Sequence, residues 1–136
     1  MEQLKLGNGN LYDLVTNGIL ELADERLKII VGADYKTFAD IESDFGSEVN
    51  TRRMEVLDII GETVNVEQNY YILKSITKEN DYITGREEYT DENGETAYRD
   101  VKKTVYIITL MRPDLHDQVK ILQETVDLLV LEGLGV

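Results

Sequence analysis

Asp81-Tyr82-Ile83-Thr84-Gly85-Arg86-Glu87-Glu88-Tyr89-Thr90 and Thr96-Ala97-Tyr98-Arg99-Asp100-Val101-Lys102-Lys103-Thr104-Val105-Tyr106-Ile107-Ile108-Thr109-Leu110 are separated by Asp91-Glu92-Asn93-Gly94. Both flanks are rich in aromatic and β-branched residues, which suit a pleated, half-buried surface. The Asn-Gly pair between them tolerates positive φ and marks a hairpin. The stretch therefore predicts a long antiparallel hairpin whose far strand ends in a core strand, Val105 to Leu110. Tyr89 and Tyr98 are expected to face each other near its tip.

Upstream the same grammar recurs. Leu4-Lys5-Leu6, the turn Gly7-Asn8-Gly9-Asn10 and Leu11-Tyr12-Asp13-Leu14-Val15 form a first hairpin. A second turn at Asn17-Gly18 is expected to lead into Ile19 to Leu22, and Asp24-Glu25 to turn the chain into Leu27 to Val31. Met54 to Asp58, a turn at Gly61-Glu62 and Val64 to Val66 supply further strands, as does Tyr70 to Ile76.

Two segments break this pattern. Phe38, Ile41 and Phe45 recur at helical spacing after Thr37 and Asp40, which resemble a capping box, and Gly46 is a stop. One short helix over 37–46 follows. Downstream, Pro113 and Asp114 suit a helix start, and Leu115, Val119, Leu122, Val126 and Leu129 recur at spacings 4, 3, 4, 3. A helix over 113–132 is predicted, ended by Gly133 and Gly135. The expected fold class is α+β: mainly antiparallel sheet with one short connecting helix and a C-terminal helix. The expected division is a β-rich domain over 1–112 and an amphipathic helix over 113–136. That helix belongs to the same domain or serves oligomerisation. Val at a and Leu at d suit a two-stranded coiled coil, whereas Ile121, Leu128, Val130 and Leu131 widen the apolar surface beyond one seam.

The 136 residues carry 27 acids against 14 bases, a formal charge of −13. Nucleic-acid and anionic-membrane binding depend on basic residues, so neither partner is expected. With 42% hydrophobic residues the chain can build a core, and no apolar run approaches the 18 residues of a membrane span. Met1-Glu2-Gln3-Leu4-Lys5 lacks a basic stretch followed by an apolar one, so no signal peptide is expected. There is no cysteine, which removes disulfides and thiolate metal sites.

Catalytic chemistry finds little to build on. His116, the one histidine, falls on the predicted terminal helix beside Asp117, with no serine in a nucleophile elbow. Asp91 to Glu95 lacks the spacing of a calcium loop, and Gly7-Asn8-Gly9 precedes no helix and so makes no phosphate loop. Carboxylate neighbours such as Glu87-Glu88 abound in so acidic a chain, which empties the signal of a paired acid and base. No enzyme activity, cofactor or metal is expected. Most of the eight tyrosines read as strand packing. Tyr89 and Tyr98 are the candidates for a recognition surface, whose targets would be a host-surface polysaccharide or protein.

Four segments, taken in order, carry a resemblance. They are Leu6-Gly7-Asn8-Gly9-Asn10-Leu11-Tyr12; Thr37-Phe38-Ala39-Asp40-Ile41-Glu42-Ser43-Asp44-Phe45; Met54-Glu55-Val56-Leu57-Asp58 with Gly61-Glu62 and Tyr70-Tyr71-Ile72-Leu73; and Ile107-Ile108-Thr109-Leu110-Met111-Arg112-Pro113-Asp114-Leu115. Together they resemble small proteins encoded in the tail modules of phages and prophages of Gram-positive bacteria. The resemblance implies a compact β-rich head followed by a helix or coiled coil that begins after a Leu-x-x-Pro-Asp step. It implies a structural protein of a tail or baseplate, homo-oligomeric and in contact with other tail proteins. Such a protein assembles in the bacterial cytoplasm and resides in the virion. No catalytic residues carry over. Relatives often continue into a longer coiled coil, and the acidic stretch from Lys78 to Lys103 is longer here than in the resembled pattern. The contact stripe then expected is Leu115, Val119, Leu122, Val126 and Leu129.

Overall fold

Leu27, Ile29, Ile30 and Val31 are all buried, on both faces of one strand, and the sheet is arranged around them. The computed structural model describes residues 2–33 and 36–113. In chain order the elements are β1 (Gln3–Lys5), β2 (Leu11–Leu22), β3 (Arg26–Gly32), α1 (Phe38–Phe45), α2 (Glu48–Thr51), β4 (Arg53–Leu57), β5 (Thr63–Gln68), β6 (Ile72–Thr90) and β7 (Thr96–Met111). The seven strands run β5-β4-β1-β2-β3-β7-β6, each antiparallel to its neighbours. The mainly antiparallel β architecture expected from the sequence is thus present. The predicted helix over 113–132, with its stripe Leu115, Val119, Leu122, Val126 and Leu129, lies outside the described residues, apart from Pro113.

Three hairpin loops share one construction. The N–H groups of Gly9, Gly61 and Gly94 donate to the carbonyls of Leu6, Asp58 and Asp91. The glycines have φ of 88°, 86° and 76°, the left-handed region where a side chain would be strained. In two loops an aspartate closes the turn. Asp58 Oδ1 accepts from the N–H groups of Ile60 and Glu62 at 3.0 and 2.9 Å. Asp91 Oδ1 accepts from those of Asn93 and Glu95, both at 2.9 Å. Asn8 and Asn93 do not take positive φ themselves; the glycine after each does so alone.

Asn17-Gly18 is not the turn that its residues suggest. It sits inside the single strand β2, where Leu14 faces Val31 and Ile19 faces Ile29, so four residues stand against one. Asn17 has φ 58°, and the chain bulges instead of reversing, because β1 and β3 hold β2 extended on either side. Residues 11–13 of β2 pair with β1, and Leu14 with the residues after the bulge pairs with β3. The bulge therefore joins the two wings of the sheet. Likewise, Tyr70 to Ile76 and Asp81 to Thr90 are not separate strands. Both contribute to β6, which runs unbroken through three register irregularities against β7.

One short helix was expected between the wings, and two are present. In α1 the capping box is complete: the Asp40 N–H donates to Thr37 Oγ1 at 3.2 Å, and the Thr37 N–H donates to Asp40 Oδ2 at 3.0 Å. Those bonds from Thr37 hold the Asp40 carboxyl below its usual range. The second helix, α2, is too short at four residues to leave a periodic signal. It is fixed from outside, since the Gly7 N–H donates to the Asn50 carbonyl at 2.8 Å and Asn50 Nδ2 donates to the Asp44 carbonyl at 3.1 Å.

The core draws on both wings. Leu4, Tyr12, Leu14, Met54 and Val56 from one pack with Leu27, Ile29, Val31, Tyr106, Ile108 and Leu110 from the other, and α1 adds Ile41 and Phe45. The Asp44 carboxylate pins α1 to the first hairpin by accepting from Asn8 Nδ2 at 3.3 Å, Asn10 Nδ2 at 3.0 Å and the Tyr12 hydroxyl. Burial, with the Asp44 bond and charge, pushes the Tyr12 phenol well above its usual range.

Candidate functional site

Beyond the pair Gly32 and Val105 one more bond holds, from the Ala33 N–H to the Thr104 carbonyl at 3.0 Å, and past it β7 keeps only β6 beside it. Residues 79–90 and 96–104 thus form a two-stranded ribbon in which no side chain is buried on either face. A lone hairpin without an apolar face is marginal in water. Cross-strand pairs hold this one. Arg86 meets Asp100 at 3.4 Å, Arg99 meets Glu87, and the Tyr98 hydroxyl donates to Glu88 at 3.2 Å.

The two tyrosines singled out from the sequence both lie near the ribbon tip, but they do not face each other. Tyr89 stands opposite Ala97, and Tyr98 stands opposite Glu88. Because side chains alternate across a strand, the two rings point to opposite faces. Tyr98 is 62% exposed and Tyr89 is 39% exposed, with the Arg99 guanidinium 5.1 Å from the Tyr89 ring centre. One stacking platform built from both rings is excluded.

At the base of the ribbon a groove of about 940 Å³ opens between the wings. Its walls are the β2 bulge (Val15 to Ile19), Val56, Ile59, Val64 and Asn65 of the β4–β5 hairpin, and Thr84 and Lys103. Glu2, Asp13 and Asp58 also line it, so acids outnumber the one base. Ile59 and Ile60, at the tip of that hairpin, are 80% and 74% exposed. The sequence carries one sign of this feature, two adjacent isoleucines just before the Gly61-Glu62 turn; the groove depends on the bulge at Asn17-Gly18, whose residues signal a turn.

Strand β5 is patterned inside out. Asn65 and Glu67 lie opposite the core residues Val56 and Met54 and so take the inner side, whereas Val66 lies opposite Glu55. Glu67 is only 3% exposed, and its Oε1 accepts from Asn65 Nδ2 at 3.0 Å. Around it are Glu21 from β2 and Arg112 after β7. Arg112 is itself clamped: Nε donates to the Gln68 carbonyl at 2.9 Å, a guanidinium N–H donates to Glu25 Oε2 at 3.1 Å, and the guanidinium lies 4.1 Å from the Tyr70 ring centre. Burial raises the Glu67 pKa, the negative Glu21 adds to the rise, and Arg112 opposes it.

A raised carboxyl pKa means that the folded state keeps its proton to higher pH than the unfolded state. Stability is therefore lost as pH rises from the ordinary carboxylate range through the folded value, and the buried charge opposes folding at neutral pH. Glu67→Gln is expected to remove this component while keeping an oxygen for Asn65. Denaturant titrations at pH 5 and pH 8 should show a smaller difference between the two pH values for Glu67→Gln than for the parent chain.

Among the described residues no group of three or more His, Cys, Asp or Glu is placed to hold a metal ion. His116 and the terminal stripe lie outside them. Glu87 and Glu88, adjacent on β6, point to opposite faces of the ribbon. The chain matches no protein-family model, no curated protein and no solved structure.

Proposed function

We propose that this chain is a non-enzymatic structural or assembly protein of a phage tail or baseplate, self-associating through its terminal stripe and contacting other tail proteins. It would assemble in the bacterial cytoplasm and remain in the virion. The observation that carries the reading is the ribbon. A two-stranded arm of residues 79–104 with no buried side chain adds little to the core of its own domain. Its use lies in reaching a neighbour. The segments that carry the resemblance cover the first hairpin, α1, the β4–β5 hairpin with the start of β6 and, over residues 107–111, the end of β7.

The test is light scattering behind size exclusion over a wide concentration range. A stable dimer or trimer is the expected result, and Leu122→Glu with Val126→Glu should lower its mass while the chain stays folded. A folded parent chain of monomer mass at every concentration would overturn self-association. The other reading, a module that binds a host-surface polysaccharide or protein, draws on the exposure of Tyr98 and Tyr89. It is the weaker of the two because the rings point to opposite faces.

A further inference from the structure

The sheet has a second apolar face that the core does not use. Residues paired across antiparallel strands point to the same side, and successive residues alternate. Leu27, Ile29 and Val31 of β3 face the core with Leu110, Ile108 and Tyr106 of β7. The other side therefore carries Ile30 with Ile107, Gly32 with Val105, and Met111 beside Arg26, and β2 adds Leu20 and Leu22. Neither described helix lies over it: α1 is on the core side, where Phe38 meets Tyr106 and Phe45 meets Tyr12, and α2 lies against β4. Yet Ile30 is 2% exposed and Val105 0%, as buried as the core itself. A sheet face is closed to water by a second layer packed on it.

The chain leaves β7 at the margin of this face. Met111 points to it, and Pro113, two residues on, is buried. We propose that the segment from Asp114 to Glu132, as the helix that its spacing predicts, folds back over this face of its own sheet and docks through Ile121, Leu128 and Leu131.

Length, pattern and charge select this occupant. At roughly 3.3 Å per residue, Ile107 and Val105 lie about 13 and 20 Å back along β7 from Met111. At roughly 1.5 Å per residue, a helix running back from Pro113 reaches Ile121 after about 12 Å and Leu128 after about 22 Å. At 3.6 residues per turn, Ile121, Leu128 and Leu131 sit about 120–160° around the helix from the stripe that begins at Leu115. A helix apolar on two flanks is covered on both. The paired positions of β2, β3 and β7 on this face carry Arg26 and Lys28 and no acid, whereas the segment has Asp114, Asp117, Glu124, Asp127 and Glu132 against Lys120. Docking through this flank turns the stripe away from the sheet, toward a second copy. The inference goes beyond the assembly reading and does not need it, because one concerns the flank and the other the stripe.

The test is a disulfide placed in the full-length chain, which has no cysteine of its own. Ile107→Cys with Ile121→Cys, oxidised at low protein concentration, is expected to close within one chain, giving faster migration on a non-reducing gel at monomer mass. Adding Leu122→Glu with Val126→Glu should lower the native mass and leave that bond in place. In the same Leu122→Glu, Val126→Glu background, Ile107→Ala and Ile121→Ala together should shift the denaturant midpoint by less than the sum of their separate shifts. Chains linked in pairs by the disulfide would mean that a second copy's segment covers the face, and docking within the chain would be wrong. Loss of the bond in the stripe variant would move the docking from the flank to the stripe and overturn the assignment of Ile121, Leu128 and Leu131. No bond together with additive midpoints would overturn the docking altogether, whatever the native mass. A monomeric parent chain that forms the bond would overturn self-association alone.

Discussion

Phe45→Ala is expected to remove about 3–5 kcal/mol of stability, the usual cost of emptying a fully buried phenylalanine site. Phe45 has no exposed surface, and its ring centre lies 5.2 Å from that of Tyr12. An eight-residue helix does not persist in water on its own strength. α1 is held by three things: the Thr37 and Asp40 box, the hydrogen bonds to Asp44, and the burial of Ile41 and Phe45. The aromatic side chain is the largest of these. Its loss leaves a cavity bounded by both wings of the sheet, which cannot collapse without moving strands. The measurement is the denaturant midpoint of the variant against the parent, with the slope checked for a retained two-state transition.

Gly18→Ala is the second large effect, from one added carbon. A Cβ at Gly18 would lie 2.6 Å from the Ile30 carbonyl oxygen and 2.9 Å from that of Val15. Both atoms are backbone, so no flexible side chain can yield. Either the bulge opens or the β2–β3 ladder shifts, at a cost of about 1–3 kcal/mol, as for other overpacked sites. The bulge also forms one wall of the groove. Amide exchange should therefore quicken at Ile29 and Ile30, and the stability loss should appear in the same denaturant titration.

Most strands were legible because the alternation and the turn residues agreed. Leu4 to Val15 and Val105 to Leu110 were read correctly, as was the first helix from Thr37, Asp40 and the apolar spacing. The failures have a common cause. Asn17-Gly18 carries a turn signal as strong as Asn8-Gly9, but neighbours on both sides convert it to a bulge, and those neighbours are distant in sequence. Lys78 to Asp81 reads as a break because it lacks apolar residues, yet the β7 ladder carries the strand through it. α2 is held by Gly7 and Asp44, partners that no local window contains. Tyr89 and Tyr98 could not be assigned to faces before the register was known, since a shift of one residue exchanges them. The groove and the buried Glu67 were illegible for the same reason: both depend on register and on the union of the two wings.

The placement of β3 also has a consequence for how the molecule is made. Leu27 to Val31 leaves the ribosome early, yet its second partner, Met111 to Val105, follows roughly seventy residues later. At about 5–20 residues per second, an unguarded apolar strand waits for seconds with one edge open. β2 can cover one side at once, because the Asp24 and Glu25 turn is local. The other side stays available to any extended chain that arrives first, including β3 of a neighbouring nascent copy. The geometry that buries this strand most completely in the finished protein thus makes it the segment most exposed to misassembly during synthesis, and the yield of folded chain should fall first where translation pauses between residues 33 and 105.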